Sequence, residues 1–416
     1  MKQMTHSKDN RRFLLGMFVF ILLLAELFYD KRVNEMNTTM LAFTYEYGFI
    51  SRGLVGTVFQ TVVNLLPGMD FNYEAVMNFT KCITGVYFLT ILGFFGFCLK
   101  KVDALGDPFA VKKHHYQYFM VLYAIFAIPF SVANYNFGRT DIWLIIISLL
   151  CVMSLVLEKN EWITIPLCAI AIMIHQGFAF MFMNTILILL FYKILSYDGA
   201  RRKKYILLFT LCTVISAGLF FWFEIFSHTN GENIYEDMLN MAYTLSRNGK
   251  SIHQDVLDKE ILGIDLTQRE VTLHLQNFVQ FPIYIILMLP YIFTAYHFFK
   301  NVITEASDTV AKVKYLFVAI GSLTVIPLLL LKVDYGRWMM AVMHYYLITL
   351  MALIASGDKL IIKHVENTIH WLKQKSGLAV ILVVYPILLQ PFHDVSICKL
   401  TAKIGGIINE TWLHWW

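Results

Sequence analysis

Asp334 and Arg337 stand three residues apart in KVDYGRWMMAVMH (332–344), between two apolar runs long enough to cross a bilayer. Ionisable groups at membrane depth are costly to hold and mark substrate, ion or proton sites by default. The spacing lets the two pair on one helix face, with His344 two turns beyond Arg337 on that face. Three other stretches carry similar chemistry. YEYGFISRG (45–53) places Glu46 and Arg52 among aromatics and glycines, a carboxylate suited to general-base work beside a guanidinium suited to gripping phosphate. FGRTD (137–141) offers Arg139 as an anion ligand, and Asp141 as a helix cap or first-turn carboxylate. HQG (175–177) puts His175 and Gln176 in the middle of an otherwise apolar stretch, 162–194.

The elements that position these groups follow from composition. Of 416 residues, 58% are hydrophobic and 15% charged, where a soluble domain carries roughly a quarter charged residues. The expected fold is all-α: a single polytopic transmembrane domain over 1–416, with about eleven spans of bilayer length. The runs fall near 13–29, 82–99, 117–134, 142–157, 205–226, 278–299, 313–331, 338–355 and 377–390. Stretch 162–194 is too long for one span and is read as two short ones meeting at the polar HQG apex. Such an apex has to line a polar cavity, because irregular backbone at depth is tolerated only there.

Sidedness follows from the basic residues. With the N-terminus inside, 21 of the 34 Lys and Arg fall in about 80 cytoplasmic residues and the rest in about 140 external ones, as the positive-inside rule requires. The C-terminus is then external, and all four charged motifs lie on the outer face. Two loops there are large. Residues 30–81 hold an amphipathic helix over 54–66, with Gly56, Thr57, Gln60, Thr61 and Asn64 on its polar face, lying in the outer interface. Residues 227–276 form a lid or acceptor-binding loop. The stretch 359–375 reads as a cytoplasmic interfacial helix, and TWLHWW as an aromatic belt.

The net charge of +5 is spread as topology signals and gives no reason to expect nucleic acid. Six cysteines occur with no CxxC pair, so neither a disulfide framework nor structural zinc is expected. There is no GxxxxGK[ST], no HExxH and no DxD, and hence no seat for a nucleotide, flavin or tightly held metal.

Together the basic N-terminus and single span, the external loop with a carboxylate and an interfacial helix, and the outward-facing arginines and histidine resemble the polytopic membrane glycosyltransferases of the GT-C fold group and the Wzy-type O-antigen and capsule polymerases. The resemblance is architectural and covers most of the chain. It implies a bacterial inner (plasma) membrane enzyme that takes a polyprenyl-phosphate-linked sugar on the external face and builds surface polysaccharide. It would work as a polymerase or a single-sugar transferase, beside other polysaccharide-assembly proteins and membrane lipids. The catalytic carboxylate of the first loop would map to Glu46, with Asp30 as runner-up. Asp334 would serve as Arg337's partner or as base, and His175 would steady the leaving phosphate or the acceptor. Arg52, Arg139 and Arg337 would hold lipid-linked phosphate. No acidic pair stands in the first loop and no soluble C-terminal domain is present, both departures from many GT-C enzymes. The competing expectation is a flippase or transporter of lipid-linked saccharides or small molecules.

Overall fold

The computed structural model describes residues 2–27, 32–106, 113–132, 137–226, 232–249, 252–253, 257, 280–331 and 335–389. Among these the chain is all-helical, with no strand. The helices are α1 (Lys2–Leu27), α2 (Glu35–Met40), α3 (Gly53–Leu65), α4 (Tyr73–Ala104), α5 (Lys113–Val132), α6 (Asp141–Leu157), α7 (Thr164–Ile174), α8 (Phe178–Met181) and α9 (Met183–Ser196). They continue as α10 (Gly199–Ile225), α11 (Glu232–Leu245), α12 (Gln280–Glu305), α13 (Thr309–Ile320), α14 (Ile326–Leu331), α15 (Tyr335–Ala355), α16 (Lys359–Gln374) and α17 (Ser376–Leu389).

Four stretches among the described residues are long and apolar enough to cross a membrane: Tyr73–Ala104, Gly199–Ile225, Thr309–Leu328 and Arg337–Ala355. They differ in environment. In α15, 83% of the apolar window is buried in protein, against 22% in α10. α15 packs on α4, α5, α6, α9, α12 and α16, and is the hub of the bundle. α10 packs one side on α7 and α9 and leaves Ile206, Leu207, Val214, Phe221 and Ile225 exposed. Exposed apolar surface of that kind along a helix is what a lipid-facing wall presents.

The stretch 162–194 divides as expected, into α7 and α9 with α8 between. At 1.5 Å per residue, α7 and α9 reach only about 16 and 21 Å, short of a 30 Å hydrocarbon core. The break has a local cause. His175 is extended (φ −165°, ψ 122°), and its ring Nδ1 accepts the Gly177 N–H at 2.8 Å. This side-chain bond replaces helix hydrogen bonding at that point.

One expectation is refined and one corrected. The run 313–331 does supply a stretch long and apolar enough to cross a membrane, Thr309–Leu328, with a 3-10 segment, Gly321–Val325, inside it. The carbonyls of Val318 and Ala319 are taken by the hydroxyls of Tyr345 and Tyr346, each at 2.7 Å. A Cβ on Gly321 would lie 2.2 Å from the Tyr345 hydroxyl, so only glycine admits α15 this closely. In α3 the buried face is Gly53, Val55, Gly56, Phe59 and Val63, while Leu65 and Leu66 are exposed. Gly56 therefore belongs to the inner face. A Cβ there would meet the Phe43 carbonyl oxygen at 2.0 Å, and its lack of a side chain lets backbone pack on backbone.

The two long loops, 30–81 and 227–276, join through their described residues. Met40, Ala42, Phe43 and Ile50 from the first form a small core with Met238, Ala242 and Leu257 from the second, and the His253 N–H donates to Thr39 Oγ1 at 3.0 Å. The described part of the expected lid, α11, thus sits on the first loop.

Candidate functional site

One end of the bundle is set by three turns and a helix start. Asn34 caps α2 by accepting the Asn37 N–H at 2.8 Å, and Asn37 Nδ2 donates to the Phe137 carbonyl at 3.0 Å. This ties the first loop to the turn that carries Arg139. Gly138 makes that turn at φ +89°, a region open to glycine and strained for other residues. α6 then begins at Asp141, which is 0% exposed.

Asp141 is the centre of the site. Its Oδ1 accepts from Arg337 Nη2 at 3.0 Å and Nε at 3.2 Å. Its Oδ2 lies 3.2 Å from Arg139 Nε, a charge contact without an aligned hydrogen bond. Arg337 is itself 5% exposed, and its guanidinium lies 5.1 Å from the centroid of the Trp338 ring, within cation–π range. Arg337 Nη2 also stands 3.5 Å from His175 Nε2.

His175 feels the charges of all three arginines, Arg52, Arg337 and Arg139. Its neighbour Gln176 is buried and donates through Nε2 to Ser51 Oγ at 2.6 Å, which pins the apex of the broken stretch to the residue before Arg52. Arg52 itself is left-handed, at φ 60°. A non-glycine residue in that conformation costs roughly 1–2 kcal/mol, and such strain gathers where geometry serves a site.

The structure therefore brings together Arg52, Arg139, Arg337, Asp141, His175 and Gln176 from four separate stretches. Two guanidiniums meet one carboxylate, and the charge of a third reaches the adjoining His175. A guanidinium fork matches phosphate or carboxylate oxygens.

Other expected residues lie elsewhere. Glu46 is exposed on the short 3-10 turn Tyr45–Tyr47. Burial, and then the negative charges of Asp237 and Glu46, raises the Tyr47 phenol above its usual range. Glu46 thus faces α11, which carries Asp237. His344 is 1% exposed and does not join the cluster. Its Nδ1 is 3.2 Å from the Tyr123 hydroxyl and its Nε2 3.2 Å from Ser148 Oγ, and it packs edge-on to Phe182. Seven residues separate it from Arg337, about 10 Å along the helix, which sets it one polar layer deeper. Asp30 and Asp334 lie outside the described residues. Sequence reasoning treated Asp141 as a cap and missed it as the hub. The signal was a carboxylate two residues from Arg139 at the start of a buried helix. Ser51 gave no signal at all.

Among the described residues no group of three or more His, Cys, Asp or Glu is arranged to hold a metal ion. Compared with known protein families, curated proteins and solved structures, the chain matches none.

Proposed function

We propose that the chain is a polytopic membrane glycosyltransferase of about eleven spans that acts on its external face on a polyprenyl-phosphate-linked sugar in surface-polysaccharide assembly. One observation carries the reading: Arg139 and Arg337 meet on the buried carboxylate of Asp141, and the charge of Arg52 joins theirs around the neighbouring His175. Clustered guanidiniums suit an anionic ligand, and the architectural resemblance supplies the reaction. A lipid phosphate leaving group needs positive charge, not nucleotide recognition.

In this reading the donor's phosphate lies against the arginines with its lipid in a groove between helices. The acceptor hydroxyl attacks the anomeric carbon, and its proton passes to a carboxylate of the outer surface, Glu46 or Asp334. The Ser51–Gln176 hydrogen bond holds the loop bearing Glu46 against the His175 apex. Closure of the α11 loop on the first loop would keep water from the reacting carbon.

Deleting the chain in its host and resolving the surface polysaccharide by gel electrophoresis tests the reading. Loss of the ladder with one repeat unit retained identifies a polymerase, and a truncated unit a single-sugar transferase. Lipid-linked units trapped inside would replace the enzyme by a flippase. Arg337→Ala, expressed to the wild-type level, should reproduce the deletion; unchanged polysaccharide length and amount would overturn the assignment.

A further inference from the structure

His344 lies deeper than the Asp141 cluster, yet its surroundings repeat the cluster's arrangement. Arg337 meets Asp141 Oδ1 and stands 3.5 Å from His175 Nε2. Seven residues further along each of these three stretches, His344 Nε2 stands 3.2 Å from Ser148 Oγ, and its ring packs edge-on to Phe182 with centroids 4.9 Å apart. The same step recurs on α5. The Tyr123 hydroxyl is 3.2 Å from His344 Nδ1. Tyr116, seven residues earlier, donates to the carbonyl of Met351, seven residues beyond His344, at 2.9 Å. The matching steps mean that α6 runs parallel to α15 and α5 antiparallel to it, with about 10 Å between successive levels.

The level at His344 is closed: Tyr123, Ser148, Phe182 and His344 are all buried. An imidazole has a nitrogen on each of two edges, and a hydroxyl either donates or accepts. Either tautomer of His344 can therefore bond both Tyr123 and Ser148, so one ring ties α15 to a helix on each side. Apolar faces between membrane helices hold one another with little preference for one offset, because lipid is as apolar as they are. A buried polar residue at a single position of such a seam is a known means of fixing register. A slip of α15 by one turn, about 5.4 Å, would take His344 from both hydroxyls and Arg337 from Asp141 together.

We infer that His344 is a positioning residue. By holding α15 to Tyr123 and Ser148 and backing Phe182, it sets the register in which Arg337 reaches Asp141 and the His175 apex. Arg337 is the residue that meets the ligand in the reading above, and His344 acts through it. Only the consequence for surface polysaccharide rests on that reading; the alignment of Arg337 on Asp141 does not.

The test uses the purified full chain in detergent. In nitrogen-15 arginine-labelled protein the Arg337 Nε–H signal, assigned by its loss in Arg337→Lys, reports the bond to Asp141 through its rate of exchange with solvent. Ser148→Ala should speed that exchange about threefold or more and His344→Leu about tenfold or more, as the loss of one and of two hydrogen bonds implies. Ser154→Ala is the control. It strips a hydroxyl from the other half of α6, where Ser154 bonds the Lys159 carbonyl, and should leave the exchange rate unchanged. The combination Tyr123→Phe/Ser148→Ala/His344→Phe removes all three polar partners, so no hydroxyl is stranded and the melting temperature should return towards wild type. Fast exchange should persist in it all the same. Wild-type exchange in that combination or in Ser148→Ala, or equal acceleration by Ser154→Ala, would overturn the positioning role and leave His344 a matter of stability alone. Should the variants at 344 fail to fold, Ser148→Ala against Ser154→Ala decides. In the host, the combination should also lose the polysaccharide ladder. An intact ladder beside fast exchange would uphold the positioning role and reject Arg337 as the phosphate ligand.

Discussion

At the residue scale, the Asp141 cluster is a case where one carboxylate restrains two cations. Removing it should be more harmful than removing any one arginine. Asp141→Ala is expected to destabilise the detergent-solubilised protein by about 3–5 kcal/mol, the range for stripping one partner from a buried pair. The double variant Asp141→Asn/Arg337→Met should recover part of that loss, which thermal unfolding would detect as non-additivity. Arg52 offers the opposite trade. Because it sits at φ 60°, Arg52→Gly should leave stability unchanged or raise it by up to about 1 kcal/mol, while weakening pyrophosphate binding. A large fall in melting temperature would show that Arg52 is there for structure. Much of this cluster was legible in the sequence, because charged residues beside glycines in apolar surroundings are rare. What stayed hidden was the pairing. Arg337 was expected to pair with Asp334, three residues away, yet its described partner is Asp141 from another helix, and side-chain spacing along one chain does not register such contacts.

At the element scale, the contact role of Gly56 was not legible in the sequence. Gly56 looked polar-facing because it has no apolar side chain to count, whereas its packing role depends on that lack. Gly56→Ala puts a Cβ 2.0 Å from the Phe43 carbonyl oxygen, a backbone atom that cannot rotate away. The expected cost is at or above the 1–3 kcal/mol of ordinary overpacking, read as loss of folded protein on gel filtration. The split of 313–331 was equally hidden, since it depends on tyrosines of α15 reaching the carbonyls of Val318 and Ala319. Tyr345→Phe leaves the Val318 carbonyl without its bond and should cost about 1–3 kcal/mol in thermal unfolding. At the opposite end of the bundle, Lys193 of α9 pairs with Glu158 at 2.6 Å, just beyond α6. Burial pulls the Glu158 carboxyl up, but the Lys193 ammonium and the Tyr197 hydroxyl outweigh it and hold it below the usual 4.5. A depressed carboxylate contributes stability above its unfolded value, lost as pH falls through the folded one. Unfolding should therefore become easier below about pH 4.5, and Glu158→Gln should flatten that part of the pH profile. An unchanged profile would show that the pair does not couple to folding.

At the scale of the whole molecule, the contrast between α15 and α10 orders the bundle from hub to wall. A spin label at Val214 on α10 should collide with lipid-dissolved oxygen, and one at Ile348 on α15, fully buried, should not. Equal accessibility would mean that the two helices share one environment. The ion cluster also has a history in time. Asp141 and Arg337 are 196 residues apart, so at 5–20 residues per second a ribosome delivers the second roughly 10–40 seconds after the first. During that interval Asp141 would face the translocation channel and lipid as a bare charge, were it not for Arg139. Arg139 is synthesised almost at the same moment and already lies at 3.2 Å in the finished fold. It meets Oδ2 of the carboxylate, and Oδ1 is left for Arg337 when α15 is made.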